Sequence, residues 1–372
     1  MIYFDNSATT FKKPKNVINA VEKCIKYNCG NPGRSGHILS VRAGETVFAC
    51  RRELGAFFNT EPENIVFTLN TTYALNTLIT PLLSDSDHVI ISDIEHNAVL
   101  RPVVASGCEY SIVDMQNDDL EKYIKDNTKA IISNHASNLL PIVNPIDKIA
   151  KIAKKHSLIF FADCAQSAGV IKIDLEESGI DAICIPSHKS LYGIQGCGVI
   201  AFSRKYAAED KNHFIYGGTG VNSKEISMPD FLPERYEAGT LPTPAIASLC
   251  EGIKEVKRIG VENIKKHEDN LYKNLKANLE QMRNVSVLNE KDNEFPILSF
   301  NVSSLSSNVI ASELNRYGIC VRGGYHCSPL AHKKAGTYGL GAIRVSFGIY
   351  NTEKEIEIFT DTLNRIVKQL ML

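Results

Sequence analysis

Short apolar runs recur between about residues 60 and 203, and the stretches between them are apolar only at helical spacing. The runs are NIVFT (64–68), HVIISD (88–93), KAIISN (129–134), LIFFADCA (158–165), AICIPS (182–187) and GVIAFS (198–203). Each is nearly continuous rather than alternating, which predicts strands buried on both faces. Segments such as NPIDKIAKIAKKH (144–156) read as the helices that cover them. Strands alternating with helices predict an α/β fold with a mainly parallel sheet. Farther on, the pattern changes. Long charged helices over about 244–283 precede FPILSFNV (295–302), an amphipathic stretch, GICVRGG (318–324) and AIRVSFGI (342–349). That predicts a smaller α+β domain at the C-terminal end.

Composition narrows the classes. The chain has 372 residues, 44% of them hydrophobic, with a formal net charge of -1. Near-neutrality argues against a nucleic-acid or membrane-surface partner held by bulk charge. Met1 leads straight into IYFDNSATT, and no apolar run reaches the length of a membrane span, so a soluble, cytoplasmic protein is expected. The ten cysteines are scattered singly, several inside apolar runs, as reduced packing thiols would be. Cys327 differs, lying in the polar loop Arg322-Gly323-Gly324-Tyr325-His326-Cys327-Ser328-Pro329.

Ligands of parallel sheets sit at the carboxyl ends of the strands. After NIVFT, Thr71 and Thr72 open a helix, where hydroxyls and free N–H groups either cap it or hold an anion. His96 follows HVIISD, and Asn138 follows KAIISN. Asp163 ends an apolar run where a bare carboxylate is costly, so it needs a partner, and Gln166 follows it. His188 and Lys189 stand beyond AICIPS, beside Gly193, Gly196 and Gly198. A phosphate cradle, a buried acid, a strand-end lysine and a histidine together fit pyridoxal 5'-phosphate (PLP), with the lysine on its aldehyde and the aspartate on its ring nitrogen.

The ordered series YFDNSATT, NPGRSGH, LNTTYALN, EHNAV, SNLLPIVNP, ADCAQSAG, SHKSLYGIQGCG, RYEAGT and VRGGYHCSP…IRVSFGIYNT resembles class V aminotransferase-fold enzymes over almost the whole chain. More narrowly it is similar to the Suf-type (group II) cysteine desulfurase and selenocysteine lyase branch. The resemblance implies a PLP fold-type I homodimer, with a large domain over 13–258 and a small domain formed by 1–12 and 259–372. It implies that Lys189 carries the cofactor, Asp163 meets its ring nitrogen, Gln166 bonds its ring hydroxyl and His96 stacks on the ring and assists proton transfer. Thr71, Thr72 and His188 would hold the phosphate, joined by Thr240 from the other subunit. Asn138 and Arg344 would bind the substrate carboxylate, with Arg322 as the alternative, and Cys327 would be the nucleophile.

Two departures stand out. Pro186 occupies a position where Suf-type enzymes usually carry serine, so Ser187 is expected to supply that hydroxyl or none does. Ser190 is an extra residue between Lys189 and the Tyr-Gly turn. Around Cys327, His326 and Arg322 are expected to act as cations that favour the thiolate. No metal is expected there: His326, Cys327 and His332 would be the set, without a second cysteine at ligand spacing. The implied activity is conversion of L-cysteine to L-alanine, leaving a persulfide on Cys327 for an acceptor protein or small thiol. Selenocysteine lyase, an ordinary transaminase and a non-catalytic sulfur-transfer scaffold are the alternatives.

Overall fold

The apolar runs become strands because both of their faces find cover. In the computed structural model, which describes residues 1–210, 212–288, 295–303 and 305–371, seven strands form one sheet. They are β1 (Ile65–Thr68), β2 (His88–Ser92), β3 (Glu109–Val113), β4 (Thr128–Asn134), β5 (Ile159–Asp163), β6 (Ala182–Pro186) and β7 (Gly198–Phe202). Their order is β3-β2-β4-β5-β6-β7-β1, and only β7 runs antiparallel to its neighbours. Successive residues serve opposite faces. Ile131, Phe160, Ile183 and Val199 enter one core, whereas Ile132, Phe161, Cys184 and Ile200 enter the other. The α/β fold read from the runs is the observed one.

Strand β3 escapes the pattern. Its sequence EYSIV leaves Tyr110 and Ile112 about two-fifths exposed, because an edge strand is paired on one side and covered incompletely. The C-terminal part holds β8 (Val285–Val287), β9 (Ile297–Val302), β10 (Arg322–Gly324) and β11 (Ala342–Ser346), antiparallel in the order β10-β11-β9-β8. GICVRGG is therefore not one strand. Its first part, Ile319–Cys320, pairs in parallel with Ile2–Tyr3, and only Arg322–Gly324 joins the sheet. The chain start is thus fixed to the C-terminal part, where Ile2 and Phe4 share a core with Phe300 and Phe359.

Four helices position the site: α1 (Thr71–Leu82), α2 (Asn97–Ala105), α3 (Thr243–Ile259) and α4 (Val261–Glu280). Asn70 caps α1, its Oδ1 accepting from the Tyr73 N–H at 2.9 Å. His96 caps α2 through Nδ1, which accepts from the Ala98 N–H at 3.0 Å. The charged stretch foreseen as helical breaks at Gly260, whose φ of 89° ends α3 and begins α4. Among the described residues, no helix is long and apolar enough to cross a membrane.

Helix α3 supports the turn that follows Lys189. Ser248 Oγ accepts from the Ile194 N–H at 2.9 Å, and Gly252 lies so near that a Cβ there would stand 2.0 Å from the Leu191 carbonyl oxygen. Gly252→Ala must push helix and turn apart. We expect a loss of roughly 1–3 kcal/mol, read as a lower midpoint in thermal or urea unfolding.

Candidate active site

The carboxyl ends of β1, β2, β4, β5 and β6 open into one cleft with about 560 Å³ of empty space. Thr71, Thr72, His96, Asn138, Asp163, Gln166, His188 and Lys189 all line it, so residues scattered over more than a hundred positions meet. Asn134 and Pro186 line it as well.

Among the described residues, Lys189 is the one lysine that lines the cleft. Burial lowers its pKa to about 8, Asp163 opposes that shift, and Arg344 and Arg322 add to it. Burial likewise raises the Asp163 carboxyl, against the N–H of Ala165, which donates to Oδ1 at 2.9 Å, and the charge of Lys189. His96 is neutral: burial first, then Lys189, Arg322, Arg101 and Arg344, lower its pKa to about 4. Because Nδ1 accepts from Ala98, the ring hydrogen sits on Nε2.

One end of the cleft is built for an anion. The N-terminus of α1 points its amides there, and Thr71 Oγ1 is buried with no hydrogen-bond partner. His188 Nδ1 is buried and unpartnered too. Its ring is neutral, held to about 4 by burial and then by Lys189 and Lys13. Ser187 does not line this end. Its hydroxyl is buried without a partner, 2.0 Å from where a Cβ on Gly193 would stand, and Pro186 faces the cleft instead. The chain leaves β6 at Pro186, and the turn that follows points the Ser187 hydroxyl at Gly193. Thr240 is exposed and does not line the cleft.

The C-terminal part closes the other end. Arg344 on β11 is 1% exposed, donating from Nη1 to the Asn138 carbonyl at 2.9 Å and from Nη2 to Asp5 Oδ1 at 2.6 Å. Arg322 on β10 stands directly opposite it in register. Its Nη2 lies 4.0 Å from Cys327 Sγ. Cys327 is exposed, and its carbonyl accepts from the Asn97 N–H at 2.8 Å, fastening the loop beside His96. Asn138 donates to the His326 carbonyl at 2.7 Å and accepts from Ser328 Oγ at 2.5 Å.

His326 is not the cation that the sequence suggested. Its Nε2–H donates to the Arg322 carbonyl at 3.1 Å, and its Nδ1 faces His332 Nε2 at 3.4 Å. His332 in turn meets Thr337 Oγ1 at 2.7 Å. Burial, then Arg344, drives the His326 pKa down to about 2, so the ring is a neutral strut and Arg322 is the charge beside the thiol. Among the described residues no group of three or more His, Cys, Asp or Glu side chains is placed to hold a metal ion.

Asp5, Lys13 and Asn134 belong to the site's surroundings and were not singled out from the sequence. Lys13 Nζ donates to the His188 carbonyl at 3.1 Å and to Thr10 Oγ1 at 2.6 Å. A signal existed for Asp5, a lone acid in the otherwise uncharged segment YFDNSATT. Its partner is 339 positions away, so only folding reveals it.

A model of the family described as "Aminotransferase class-V" matches residues 2–359. The chain belongs to the class-V aminotransferase family. Curated relatives in this class-V family include a probable cysteine desulfurase of Pyrococcus abyssi, 30% identical over all of this chain and 95% of that protein. Another, from Borreliella burgdorferi, is 32% identical over all of this chain and 92% of that one. The apo structure of a cysteine desulfurase from Thermococcus onnurineus superposes with a TM-score of 0.90 at 30% identity, covering 99% of this chain and 95% of that one. Class-V enzymes use PLP, and this cleft fits it. The orphaned Thr71 hydroxyl and His188 ring nitrogen at the start of α1 suit a phosphate, and the Asp163 carboxylate suits a protonated ring nitrogen.

Thr71→Val should therefore weaken PLP binding by on the order of tenfold through loss of one donor to a charged group. Ser187→Ala should leave it unchanged. Fluorescence titration of the apo-protein with PLP measures both.

Proposed function

We propose that this protein is a PLP-dependent cysteine desulfurase that converts L-cysteine to L-alanine and leaves the sulfur on Cys327. The observation that carries this reading is an exposed thiol, 4.0 Å from an arginine, on a loop bonded to both Asn138 and Asn97 at the rim of the Lys189 cleft. An ordinary transaminase has no use for such a group.

Bound PLP would supply an aldehyde for the substrate amine and an electron sink for its Cα. Thr71, Thr72 and His188 would hold its phosphate, Asp163 its ring nitrogen and Gln166 its ring hydroxyl. Lys189, with its pKa near 8, holds an appreciable neutral fraction close to neutral pH and can move a proton at the substrate Cα. His96, which lines the same cleft, carries its ring hydrogen on Nε2 and is a neutral donor. Arg344 and Asn138 orient the substrate carboxylate, for which a guanidinium fork is suited. The Sγ of Cys327 then takes the substrate sulfur: one C–S bond breaks, one S–S bond forms, and the carbon keeps the electron pair and is protonated. L-Cysteine plus the Cys327 thiol gives L-alanine plus the Cys327 persulfide, so atoms and electrons balance. Arg322, its Nη2 4.0 Å from Sγ, is the cation beside the attacking sulfur.

The exposure of Cys327 lets a thiol-bearing acceptor take the sulfur away. The exposure of Thr240 suits a homodimer in which RYEAGT reaches the other subunit's phosphate site. The separate core holding Ile2, Phe4, Phe300 and Phe359 supports the division into 13–258 and 1–12 with 259–372.

Reduction of the holoenzyme with borohydride and peptide mapping should find the pyridoxyl group on Lys189, and label on another lysine would contradict the assignment. Cys327→Ser should still bind L-cysteine, yet its alanine release should fall to background, since a hydroxyl is far less nucleophilic than a thiolate. Undiminished release from L-cysteine by that variant would overturn the desulfurase reading. A keto acid as the product would make the protein a transaminase.

A further inference from the structure

One bidentate edge of a guanidinium is the pair formed by Nε–H and the adjacent Nη2. In Arg344 this edge is half engaged. Nη2 donates to Asp5 Oδ1 at 2.6 Å, while Nε is buried and has no partner. Nη1 is committed to the Asn138 carbonyl at 2.9 Å. A second carboxylate approaching Arg344 by its fork therefore meets Asp5 already in place.

Asp5 is not a loose surface acid. Its backbone bridges to Ser346, and its carbonyl accepts from Ala8 at 3.1 Å and from the Tyr3 hydroxyl at 3.2 Å. The segment that follows is tied to the cofactor side of the cleft. The Ser7 carbonyl accepts from Gln166 Nε2 at 3.2 Å, and Thr10 donates from its N–H and from Oγ1 to the His188 carbonyl at 3.0 and 3.1 Å. The side chain of Asp5 is nevertheless about one-fifth exposed, so its carboxylate has room to move where Arg344 has none.

We infer that Asp5 is an internal competitor for the substrate carboxylate: it keeps the Arg344 guanidinium aligned opposite Arg322 and sets amino-acid affinity by giving up the Nη2 edge when a substrate binds. Asp5 is a specificity-determining residue by this reasoning, because the exchange favours only ligands whose own carboxylate can replace it. The charge arithmetic supports the sign. The buried Arg344 guanidinium, paired in register with the half-buried Arg322, needs an anion, and one anion resident there opposes the arrival of another. Removing the resident charge while keeping a neutral acceptor should leave the fork aligned and make it easier to occupy.

The inference rests on the assignment of Arg344 to the substrate carboxylate, and one set of measurements separates the two. L-Alanine binding to the holoenzyme is followed by calorimetry, and steady-state kinetics with L-cysteine give KM and kcat separately. In Asp5→Asn, L-alanine should bind more tightly by on the order of tenfold, and KM for L-cysteine should fall with it. Cysteamine, an aminothiol without a carboxylate, should bind the variant and the native protein alike. Asp5→Ser, read in the same way, serves if the asparagine variant does not fold. Unchanged or weakened L-alanine binding in the folded variant overturns the inference. So does an equal gain for cysteamine, which would mark a general loosening of the cleft. Arg344→Lys is the reference: if it loses L-alanine affinity while Asp5→Asn gains none, the assignment stands and the competitor role falls. If Arg344→Lys keeps full affinity, the assignment itself is wrong.

Discussion

Three cationic side chains, Lys189, Arg344 and Arg322, are gathered at one place, Arg344 fully buried and the other two half-buried. Like charges at such range repel strongly at the low effective dielectric of a protein interior. Asp163 and Asp5 make the gathering tolerable, and both act on Lys189 against the depressing effect of burial and of the arginines. The balance leaves an amine whose pKa is about 8 and two neutral imidazoles, His96 and His188, in a cleft where cations outnumber carboxylates. Such a site attracts phosphate, carboxylate and thiolate groups, and the proposed reaction brings in all three.

The parallel sheet is what allows this. Loops leaving the carboxyl ends of neighbouring parallel strands emerge on one side, so single residues from five strand ends meet without a dedicated framework. The helix that follows β1 adds its dipole and free amides to the same side. Gly252 and Gly193 allow α3 to press against the Lys189 turn, which limits how far the lysine can swing.

The thiol loop is held in a different way. His326 and Cys327 adopt φ of 54° and 57°, a left-handed conformation costing non-glycine residues about 1–3 kcal/mol each. The buried His326–His332–Thr337 chain, the Asn138 contacts and the Asn97 amide offset that cost and leave Cys327 exposed at the rim. The strain is localised at the residue proposed to take the sulfur.

The strands of the large sheet were legible because burial on both faces makes their sequences uniformly apolar, and their ends pointed to Thr71, His96, Asp163 and Lys189. Edge strand β3 was not, since half of its surface faces solvent and its composition follows. The split of GICVRGG was invisible too: the pairing of Ile319–Cys320 with Ile2–Tyr3 spans most of the chain, and local pattern carries no information about such a partner. For the same reason the sequence could name Arg344 but not Asp5 as its counter-ion. It placed His326 beside Cys327 correctly in order but not in charge, because protonation depends on burial and on the Arg322 carbonyl. Ser187 was offered to the phosphate by its position in the chain, and the turn after β6 buries its hydroxyl against Gly193 instead. Residue types and local periodicity thus determined which elements form and which chemical groups are available. The charge those groups carry, the direction they face and the partners that neutralise them were decided only when distant segments packed, since each depends on dielectric and distance.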